Sequence, residues 1–503
     1  MVLKLFVSFL NLMLCLAVFS QNDSIYSIDS MRIDNLIVND VQYKNEINFD
    51  ALKSHGVTTI ITKEDILLMG ATDLIDVLRR VQGIDFGVDV QSVVGVSIRG
   101  NWAHEGKVLL LIDGVEVNEQ LFSTLQFGGH YNVHQIEKIE IIRGLGSSKY
   151  GGNAELAVIN VITNQAKDQS GAEVFAQYGY SQNSFGNKNV GFNVRLKNED
   201  YGISISGTAN NSSPSNEVYT DSYGDSINLG KNDFERNNYS VNSNIYGKGL
   251  SVDLLYDDYT MNTRDMFDQI GDQPYTMKFI THYAKASYML KATPKVYFTP
   301  SFSYKFQNPW NTPDSSMNYL FSDKTYKAGL LVGYKHKDVI DFMFGFENIG
   351  ETAKSLDETV TFYNGSTSLT VKKTSIYTQL KLQLKSFSFL LGERMEYNMF
   401  SGSSSAPSFS AIKTWKNVHI KVLLAQSYRS PSLENFNYNI TIKPEKSRNV
   451  DLELGYRFDK SLLVSGTVFY VAIQNPILYE YVPEIKKESY VNSTQTGTRS
   501  EER

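Results

Sequence analysis

The chain has 503 residues, with 48 lysine and arginine residues against 54 aspartate and glutamate residues, and it contains a single cysteine. The slightly acidic balance without a basic block excludes a nucleic-acid-binding protein, and one cysteine excludes a scaffold held by disulfides. Aromatic residues make up 12% of the chain, with 31 tyrosines and 28 phenylalanines, which is typical of many amphipathic strands joined by polar turns.

Residues 1–20 have the pattern of a secretory signal peptide. Lys4 precedes an apolar run over residues 5–19 that is too short for a transmembrane helix, and cleavage is expected near Gln21. Cys15 lies in this run, but the bulky residue before it argues against lipid attachment. The alternative reading is a buried first helix. The pattern favours a chain exported from the cytoplasm.

The next part of the chain divides into a polar segment and a folded domain. Residues 21–56 are polar and hold one short apolar patch at residues 36–38. Residues 57–167 mix helical and strand patterns, and Thr62 with Asp65 predicts a capping box before apolar residues at helical spacing. These patterns predict a compact α+β domain of about a hundred residues with its own core.

Residues 168–503 lose the helical period and show strands of about 9–11 residues with alternating faces. The clearest strand alternates Phe298 and Phe302 with Thr299 and Ser303. A soluble sandwich would bury the apolar face, whereas a membrane barrel would turn it toward lipid, and alternation alone does not separate the two. The signal peptide, the lack of cysteine after it and the number of strands favour the barrel.

The predicted fold is therefore mainly β, a transmembrane antiparallel β-barrel with an N-terminal α+β domain. No stretch after the signal peptide reaches the roughly 18 apolar residues of a membrane-spanning helix, so strands are expected to cross the membrane. Three long polar inserts, at residues 210–238, 261–280 and 307–324, are predicted to be extracellular loops.

The chemistry-bearing residues do not predict an enzyme. The chain has no nucleophile elbow, phosphate-binding loop or zinc-protease motif. His130 and His134 are four residues apart, but the glycines between the preceding strand and this pair disfavour a helix, and no third ligand is spaced to complete a metal site. We expect no cofactor and no metal site.

Residues 136–163 read IEKIEIIRGLGSSKYGGNAELAVINVIT and predict two strands around a glycine-rich turn. This stretch resembles the end of the plug domain of TonB-dependent outer-membrane receptors, with Leu145 where that family commonly has Pro and Leu156 where it commonly has Gly. Further segments resemble the rest of the plug and the late barrel, in the family's order: residues 57–86, 96–100, 109–117, 426–436 and 443–457.

The resemblance implies a ligand-gated transporter in the outer membrane of a Gram-negative bacterium, where the barrel contacts lipid and lipopolysaccharide. It also implies a TonB box that pairs as an added strand with TonB, which the ExbB–ExbD motor drives. The alternative for the candidate box is an ordinary stretch of linker. The candidate box consists of Asp34, Asn35, Leu36, Ile37 and Val38.

The resemblance further implies a lock between the plug and the barrel. Arg99 and Arg143 match two plug arginines that pair with glutamates of the barrel wall in such receptors. Glu453 is the first candidate partner and Glu434 the second. Buried guanidinium groups need carboxylate partners, so such pairs would fix the position of the plug. The alternative is that Arg143 faces solvent at the end of a strand.

The ligand that the resemblance implies is a scarce nutrient, with a ferric siderophore preferred over cobalamin or haem. The haem interpretation is weakened because residues 439–442 do not follow the pattern common in haem receptors. A plug of this kind would offer residues at its apex to the ligand. The candidates for this contact are Trp102, His104, Phe127, His130 and Tyr131.

The end of the chain departs from the family. Its barrels have about 22 strands and end in an aromatic residue, whereas roughly fifteen or sixteen strands can be placed here and residues 498–503 are charged. We expect an incomplete barrel of fewer than about 22 strands from a truncated chain, with a small complete barrel as the alternative. A non-transporting surface receptor or adhesin is a further alternative, while a passive porin would lack the plug.

Overall fold

The computed structural model describes residues 54–89, 91–144, 146–165, 170–181, 184–213, 217–228, 234–264, 270–271, 273–313, 319–458, 462–483 and 486–502. The predicted signal peptide and the candidate TonB box lie outside the described residues. Leu145, one of the two departures from the family motif, also lies outside them.

The N-terminal domain is an α+β unit. Its elements are β1 (Val57–Thr62), α1 (Lys63–Met69), α2 (Leu74–Leu78), β2 (Ile84–Val88), β3 (Val94–Ile98), β4 (Asn101–Trp102), β5 (Val108–Ile112), β6 (Val115–Glu116), a 3₁₀ turn (Val133–Gln135), β7 (Ile136–Arg143), α3 (Gly146–Tyr150) and β8 (Ala157–Thr163). Five strands form one sheet in the order β1-β7-β8-β5-β6, and β2, β3 and β4 form a second.

Local sequence explains how this domain begins. Thr62 caps α1 through the predicted capping box, in which its hydroxyl accepts from the Asp65 amide and the Asp65 carboxylate accepts from the Thr62 amide. Gly70 ends the helix in the left-handed conformation. The sheet strands β7 and β8 are almost fully buried, and Ile139, Ile141 and their neighbours form the core of the domain.

The rest of the described chain is strands with one short helix. These are β9 (Gly171–Ser181), β10 (Ser184–Lys197), β11 (Tyr201–Ser212), β12 (Val218–Thr220), β13 (Ser226–Asn228), β14 (Arg236–Gly247), β15 (Leu250–Thr263), β16 (Tyr275–Tyr288), β17 (Leu290–Lys291), β18 (Val296–Asn311), β19 (Phe321–His336), β20 (Ile340–Ser355), β21 (Ser368–Leu384), β22 (Phe387–Asn398), β23 (Gly402–Ser405), β24 (Ser408–Trp415), β25 (Val418–Arg429), α4 (Leu433–Tyr438), β26 (Glu445–Arg457), β27 (Leu463–Gln474), β28 (Ile477–Val482), β29 (Lys487–Asn492) and β30 (Gly497–Glu502).

Eighteen of these segments follow one another in a single sheet whose strand order is that of a closed barrel, with β30 between β27 and β9. The short β17 and β23 share a neighbour with β16 and β24, so the segments occupy sixteen positions in the wall. β30 pairs with β27 over only six residues, Val468 to Ile473 of β27. The wall thus has the strand number expected from the sequence, below that of the largest barrels of this kind.

The two rims of the barrel differ. Tight turns such as residues 248–249, 385–386 and 416–417 join strands at one rim, which we call the turn rim. Longer segments, including the hairpin β28–β29 and helix α4, join them at the other, which we call the loop rim. Short turns at one rim and long loops at the other are the pattern of outer-membrane barrels.

The strands are longer than the sequence pattern predicted, at 12–17 residues for most of the wall. The predicted loops are correspondingly shorter, because β11 continues to Ser212 and β14 begins at Arg236, within the predicted insert 210–238. The ends of these strands carry polar residues on both faces, so the alternating pattern did not predict them. A strand that projects beyond the membrane does not need an apolar face.

The orientation of the strands answers the question that alternation left open. Phe298 and Phe302 are exposed on the outside of the wall, whereas Thr299, Ser303 and Lys305 of the same strand are buried inside. A soluble sandwich would show the reverse arrangement. The apolar face is therefore the lipid-facing face of a membrane barrel. Among the described residues, no helix is long and apolar enough to cross a membrane.

Candidate functional site: the plug and barrel interface

The α+β domain lies inside the barrel, and we call it the plug. Its contacts with the wall include apolar ones, such as those of Phe469 in β27, and polar ones that differ from one side to the other. Apart from Arg236, the buried polar groups that β10, β11 and β14 present are mostly neutral, whereas the strands from β18 to β26 also present buried charged groups. The neutral groups include Asn189, Asn193, Ser206, Thr208, Asn210 and Asn238, and the charged groups include Lys305, Glu347, Arg394, Lys421, Arg429 and Asp451.

Arg99 makes one of the buried ion pairs between plug and wall, and Lys107 with Glu445 of β26 makes another. Arg99 lies in the turn between β3 and β4 with a φ of 52°, and its guanidinium donates to the carboxylate of Asp451 in β26. The guanidinium also lies 4.1 Å from the ring centre of Phe469 in β27. Both charged side chains are over nine-tenths buried, so each depends on the other for a partner.

Arg143, at the end of β7, does not reach the wall. Its guanidinium donates to the carbonyl of Gln82 at 2.8 Å, to that of Val57 at 3.3 Å and to the hydroxyl of Thr59 at 2.5 Å, all within the plug. Burial, followed by the nearby charge of Arg99, lowers the pKa of Arg143 to about 10. The side chain is buried, which differs from a solvent-facing strand end, and it fastens β1 to β7.

The two candidate glutamates lie apart from both arginines. The Glu453 carboxylate is 2.9 Å from His419 Nε2 and 3.4 Å from Lys421 Nζ, both in β25. Glu434 lies on α4 at the loop rim, where its carboxylate accepts from Asn437 at 3.3 Å and burial raises its pKa to about 7. The structure thus places Asp451, rather than Glu453 or Glu434, against Arg99.

Asp451 could have been found from the sequence. It stands two residues before Glu453 in the same strand, so both carboxylates point into the barrel. Which of the two carboxylates meets Arg99 depends on how far along the barrel axis the plug lies. The alternation of residues in a strand gives no information on that position.

The exit of the plug fits closely against the wall. Arg394 of β22 donates to the carbonyl of Lys149 at 3.0 Å and to Glu347 at 2.7 Å. A Cβ added to Gly151 would lie 3.2 Å from this guanidinium, and one added to Gly152 would overlap the hydroxyl of Ser430. The two glycines of the motif therefore give the wall room to approach the plug backbone.

Of the five residues that the sequence placed at the apex, one is exposed. Trp102 has 46% of its surface exposed, whereas His104, Phe127 and His130 are buried and Tyr131 is half-buried. Burial lowers the pKa of His104 to about 4. His130 and His134 do not come together as a metal pair, because His134 stacks on Phe175 at 4.6 Å. No group of three or more metal-binding side chains occurs in the described parts of the chain.

The outermost contact of the plug is instead made by Leu121 and Phe122, which the sequence analysis missed. Leu121 packs with Leu433 and Phe436 of α4 and with residues of the neighbouring loops, and Phe122 packs against Trp310 at 5.7 Å between ring centres. The Glu119 carboxylate holds this turn by accepting from the amides of residues 121, 122 and 124. The sequence did hold one indication of this contact, because Leu121 and Phe122 are adjacent apolar residues in an otherwise polar loop.

Two of the cavities among the described residues lie between plug and wall and are large enough for several water molecules. The larger has a volume of about 1310 Å³ and extends from the turn rim near Gly249 to Glu116 and Lys305 in the interior. The smaller, of about 430 Å³, lies beside Asn210 and Arg236 on the neutral side. The plug therefore occupies the lumen without filling it.

Comparisons with known proteins match both parts of the chain. The profile of the TonB-dependent receptor plug domain matches residues 50–158, and that of the TonB-dependent receptor-like β-barrel matches residues 147–500. The vitamin B12 transporter BtuB of Vibrio vulnificus is 36% identical over 117 residues, which are 23% of this chain and 19% of that transporter. The aligned part thus spans about a fifth of that relative.

Solved structures share the fold. The ferric enterobactin receptor PfeA of Pseudomonas aeruginosa, in a mutant form, has a TM-score of 0.71 and 15% identity, covering 88% of this chain and 76% of its own. The siderophore receptor PirA of Acinetobacter baumannii has a TM-score of 0.69 and 16% identity, covering 92% and 79%. At such low sequence identities, these structures show that the chain shares their fold, a plug inside a barrel.

The Arg99–Asp451 contact predicts energetic coupling between plug and wall. Replacing either residue by Leu should lower the free energy of local opening of β3 by about 3–5 kcal/mol, because the remaining charge is left buried without a partner. The double replacement should cost less than the sum of the single ones. Hydrogen exchange of the β3 amides in the purified protein measures these energies.

Arg143→Leu with Glu453→Leu gives the matched control cycle. No hydrogen bond or ion pair joins these two side chains, so their coupling should be clearly smaller than that between Arg99 and Asp451. Equal coupling in both cycles would contradict the assignment of Asp451 as the wall partner.

Gly152→Ala should weaken the docking of the plug exit. The added Cβ would meet Ser430 atoms, including its backbone nitrogen at 2.9 Å, so backbone has to shift. We expect a loss of about 1–3 kcal/mol in the stability of α3 against local opening, measured by hydrogen exchange. Gly350→Ala is the control, since a Cβ there meets nothing within 4 Å. Equal effects at the two positions would refute the steric explanation.

Proposed function

Because the chain belongs to the TonB-dependent receptor family, we propose that it is an outer-membrane receptor that takes up a scarce nutrient with energy delivered through TonB. The observation that carries this proposal is a folded plug held inside the barrel by buried charge contacts such as Arg99 with Asp451. A lumen occupied in this way does not suit free diffusion, so a solute would cross only when the plug is displaced. Work done on the plug by a partner protein is the natural source of that displacement.

The first ligand candidate is a ferric siderophore. The loop rim supports it with aromatic clusters around the plug tip, where Phe122, Trp310 and Tyr319 pack together. Rigid aromatic side chains supply a large contact area at low entropic cost and suit a ligand with aromatic or planar groups.

The second candidate is cobalamin. The observation that favours it is the 36% identity to a vitamin B12 transporter over 117 residues. That identity is higher than the identities to the solved siderophore receptors, but it concerns a limited part of the chain.

The energising partner proposed is TonB with its ExbB–ExbD motor. The candidate box at residues 34–38 precedes the described plug by about fifteen residues, which can span up to about 50 Å when extended. A box on such a tether can reach a periplasmic partner beyond the turn rim. The barrel would contact outer-membrane lipid and lipopolysaccharide through its exposed apolar face.

Uptake of two probes tests the function and separates the ligand classes. The chain is expressed in a bacterial strain that lacks its own receptors for ferric enterobactin and cyanocobalamin, and uptake of each labelled compound is measured. We expect uptake of ferric enterobactin that stops when TonB is deleted. Uptake of cyanocobalamin alone would favour the second candidate, and TonB-independent entry of either probe would contradict the proposal.

Leu36→Pro tests the candidate box. Proline removes a strand donor, so we expect TonB-dependent uptake to be lost while surface binding of the probe is retained. Asn45→Pro, in the same polar segment but outside the candidate box, is the control and should transport normally. Normal uptake by Leu36→Pro would remove residues 34–38 from the proposal.

A further inference from the structure

The outer face of β19, β20 and β21 carries three lysines close to the loop rim. The register between strands shows which way they point, because residues that pair across a sheet share a face and residues two apart along a strand share it too. Phe302 of β18 is exposed in the apolar band and pairs with Ala328 of β19, which lies four residues from Lys324. The same register, continued through β20 and β21, places Lys354 and Lys372 on this outer face, and all three lysines are exposed. We call Lys324, Lys354 and Lys372 the lysine patch.

The register also fixes the spacing of the patch. Lys324 pairs with Thr352, and Thr352 pairs with Thr370. Lys354 is two residues from Thr352 toward the loop rim, and Lys372 is two residues from Thr370 toward the turn rim. With the usual distances between strands and between alternate residues, the three Cα atoms are roughly 8–14 Å apart. Three long side chains at this spacing can reach one extended headgroup.

The outer face below the patch changes from aromatic to apolar. Tyr326 is two residues from Lys324, and its ring centre is 5.0 Å from that of Tyr304. Further toward the turn rim comes a row of exposed apolar side chains, formed by Leu330, Phe346, Ile376 and Met395. Aromatic girdles mark the boundary between hydrocarbon and headgroups on membrane barrels. The lysine patch therefore lies at the level of lipid headgroups.

The inward lysines of the same strands differ from those of the patch. Lys373, next to Lys372, is 2.9 Å from the Glu351 carboxylate, and Lys327 is 2.8 Å from the Glu347 carboxylate. In the part of the chain that the structure describes, the three patch lysines make no ion pair and no side-chain hydrogen bond. The patch is thus a local concentration of positive charge without a counter-charge from the protein, which favours an anionic partner.

The middle of the patch adds hydroxyl groups and space. The hydroxyls of Thr352 and Thr370 are 2.9 Å apart on the outer surface. Gly350 lies between Tyr326 and Lys372 in the register, and a Cβ added to it would meet nothing within 4 Å, so the surface is recessed there. Phosphate oxygens accept hydrogen bonds from ammonium groups and from hydroxyls alike. The recess leaves room for such a group between the lysines.

We propose that the lysine patch binds the phosphate groups of lipopolysaccharide. Outer-membrane barrels turn their long loops to the extracellular side, so the headgroups at the loop rim are those of the outer leaflet. Three cations spread over roughly 14 Å match a headgroup with more than one phosphate better than a phospholipid headgroup with one. The acyl chains would lie along the apolar row below the tyrosines. The assignment uses the outer-membrane location proposed above and is independent of the nutrient and of TonB.

Lipid binding by the purified full chain tests the patch. The protein in a neutral detergent is titrated with lipopolysaccharide that carries its phosphates, and bound lipid is counted by native mass spectrometry. The triple variant Lys324→Gln, Lys354→Gln and Lys372→Gln removes the charges and keeps polar side chains. We expect the affinity to fall about fivefold for each lysine removed, and the difference from the native chain to shrink at high salt. Circular dichroism checks that the barrel is folded.

Three lysines at the opposite rim give the matched control. Lys337, Lys385 and Lys416 are exposed in turns at the turn rim, so their triple replacement by Gln makes the same change in net charge. This control should bind lipopolysaccharide as the native chain does. Dephosphorylated lipopolysaccharide and phosphatidylglycerol, which has a single phosphate, should both bind the native chain more weakly than the phosphorylated form.

Four results would each overturn the proposal. They are native affinity in the patch variant, an equal loss in the turn-rim control, equal binding of the dephosphorylated lipid, and equal binding of phosphatidylglycerol. The first two would show that the patch is not the site, and the last two that the bound group is not a set of phosphates. Because this binding needs neither TonB nor a nutrient, its outcome is separate from that of the uptake experiment.

Discussion

The constraint on which the structure depends is that backbone groups in lipid need hydrogen-bond partners within the protein. A sheet in which each strand from β9 to β27 pairs with its neighbours meets this requirement along most of the wall. The same pairing turns one face of every strand outward and one inward. Phe298 and Phe302 can then lie in lipid only because Thr299 and Ser303 lie on the opposite face. The polar interior is a direct consequence of the apolar exterior.

A polar interior determines how a second domain can be held inside it. The plug has an apolar core around Ile139 and Ile141, which Phe469, Val471 and Ile473 of the wall join, and it meets other parts of the wall through hydrogen bonds and ion pairs. Buried charges require partners, which explains why Arg99 reaches Asp451 and why Arg394 reaches both Glu347 and a plug carbonyl. Close approach of these long side chains then requires glycine at the plug exit.

The sequence predicted the parts of the structure that are repeated or local. Alternation predicted the wall, and the cap formed by Thr62 and Asp65 was predicted from four adjacent residues. Contacts across the lumen were not predictable in this way. Strand periodicity places Asp451 and Glu453 on the same face, but only the position of the plug selects between them. His130 was expected at a ligand-facing apex for the same reason, since its burial depends on Asp257 and Tyr259, more than a hundred residues away.

A polar interface also responds to water in a way that an apolar one would not. The strength of an ion pair or a charged hydrogen bond falls as the local dielectric rises, so water entering beside the plug weakens each remaining contact. An interface of stacked apolar side chains would resist wetting and would come apart only as a unit. The cavity of about 1310 Å³ already brings solvent-sized space to Lys305 and Glu116. Contacts such as those of Arg99 and Arg394 can therefore be strong while the plug is docked and weaken in succession once it begins to move.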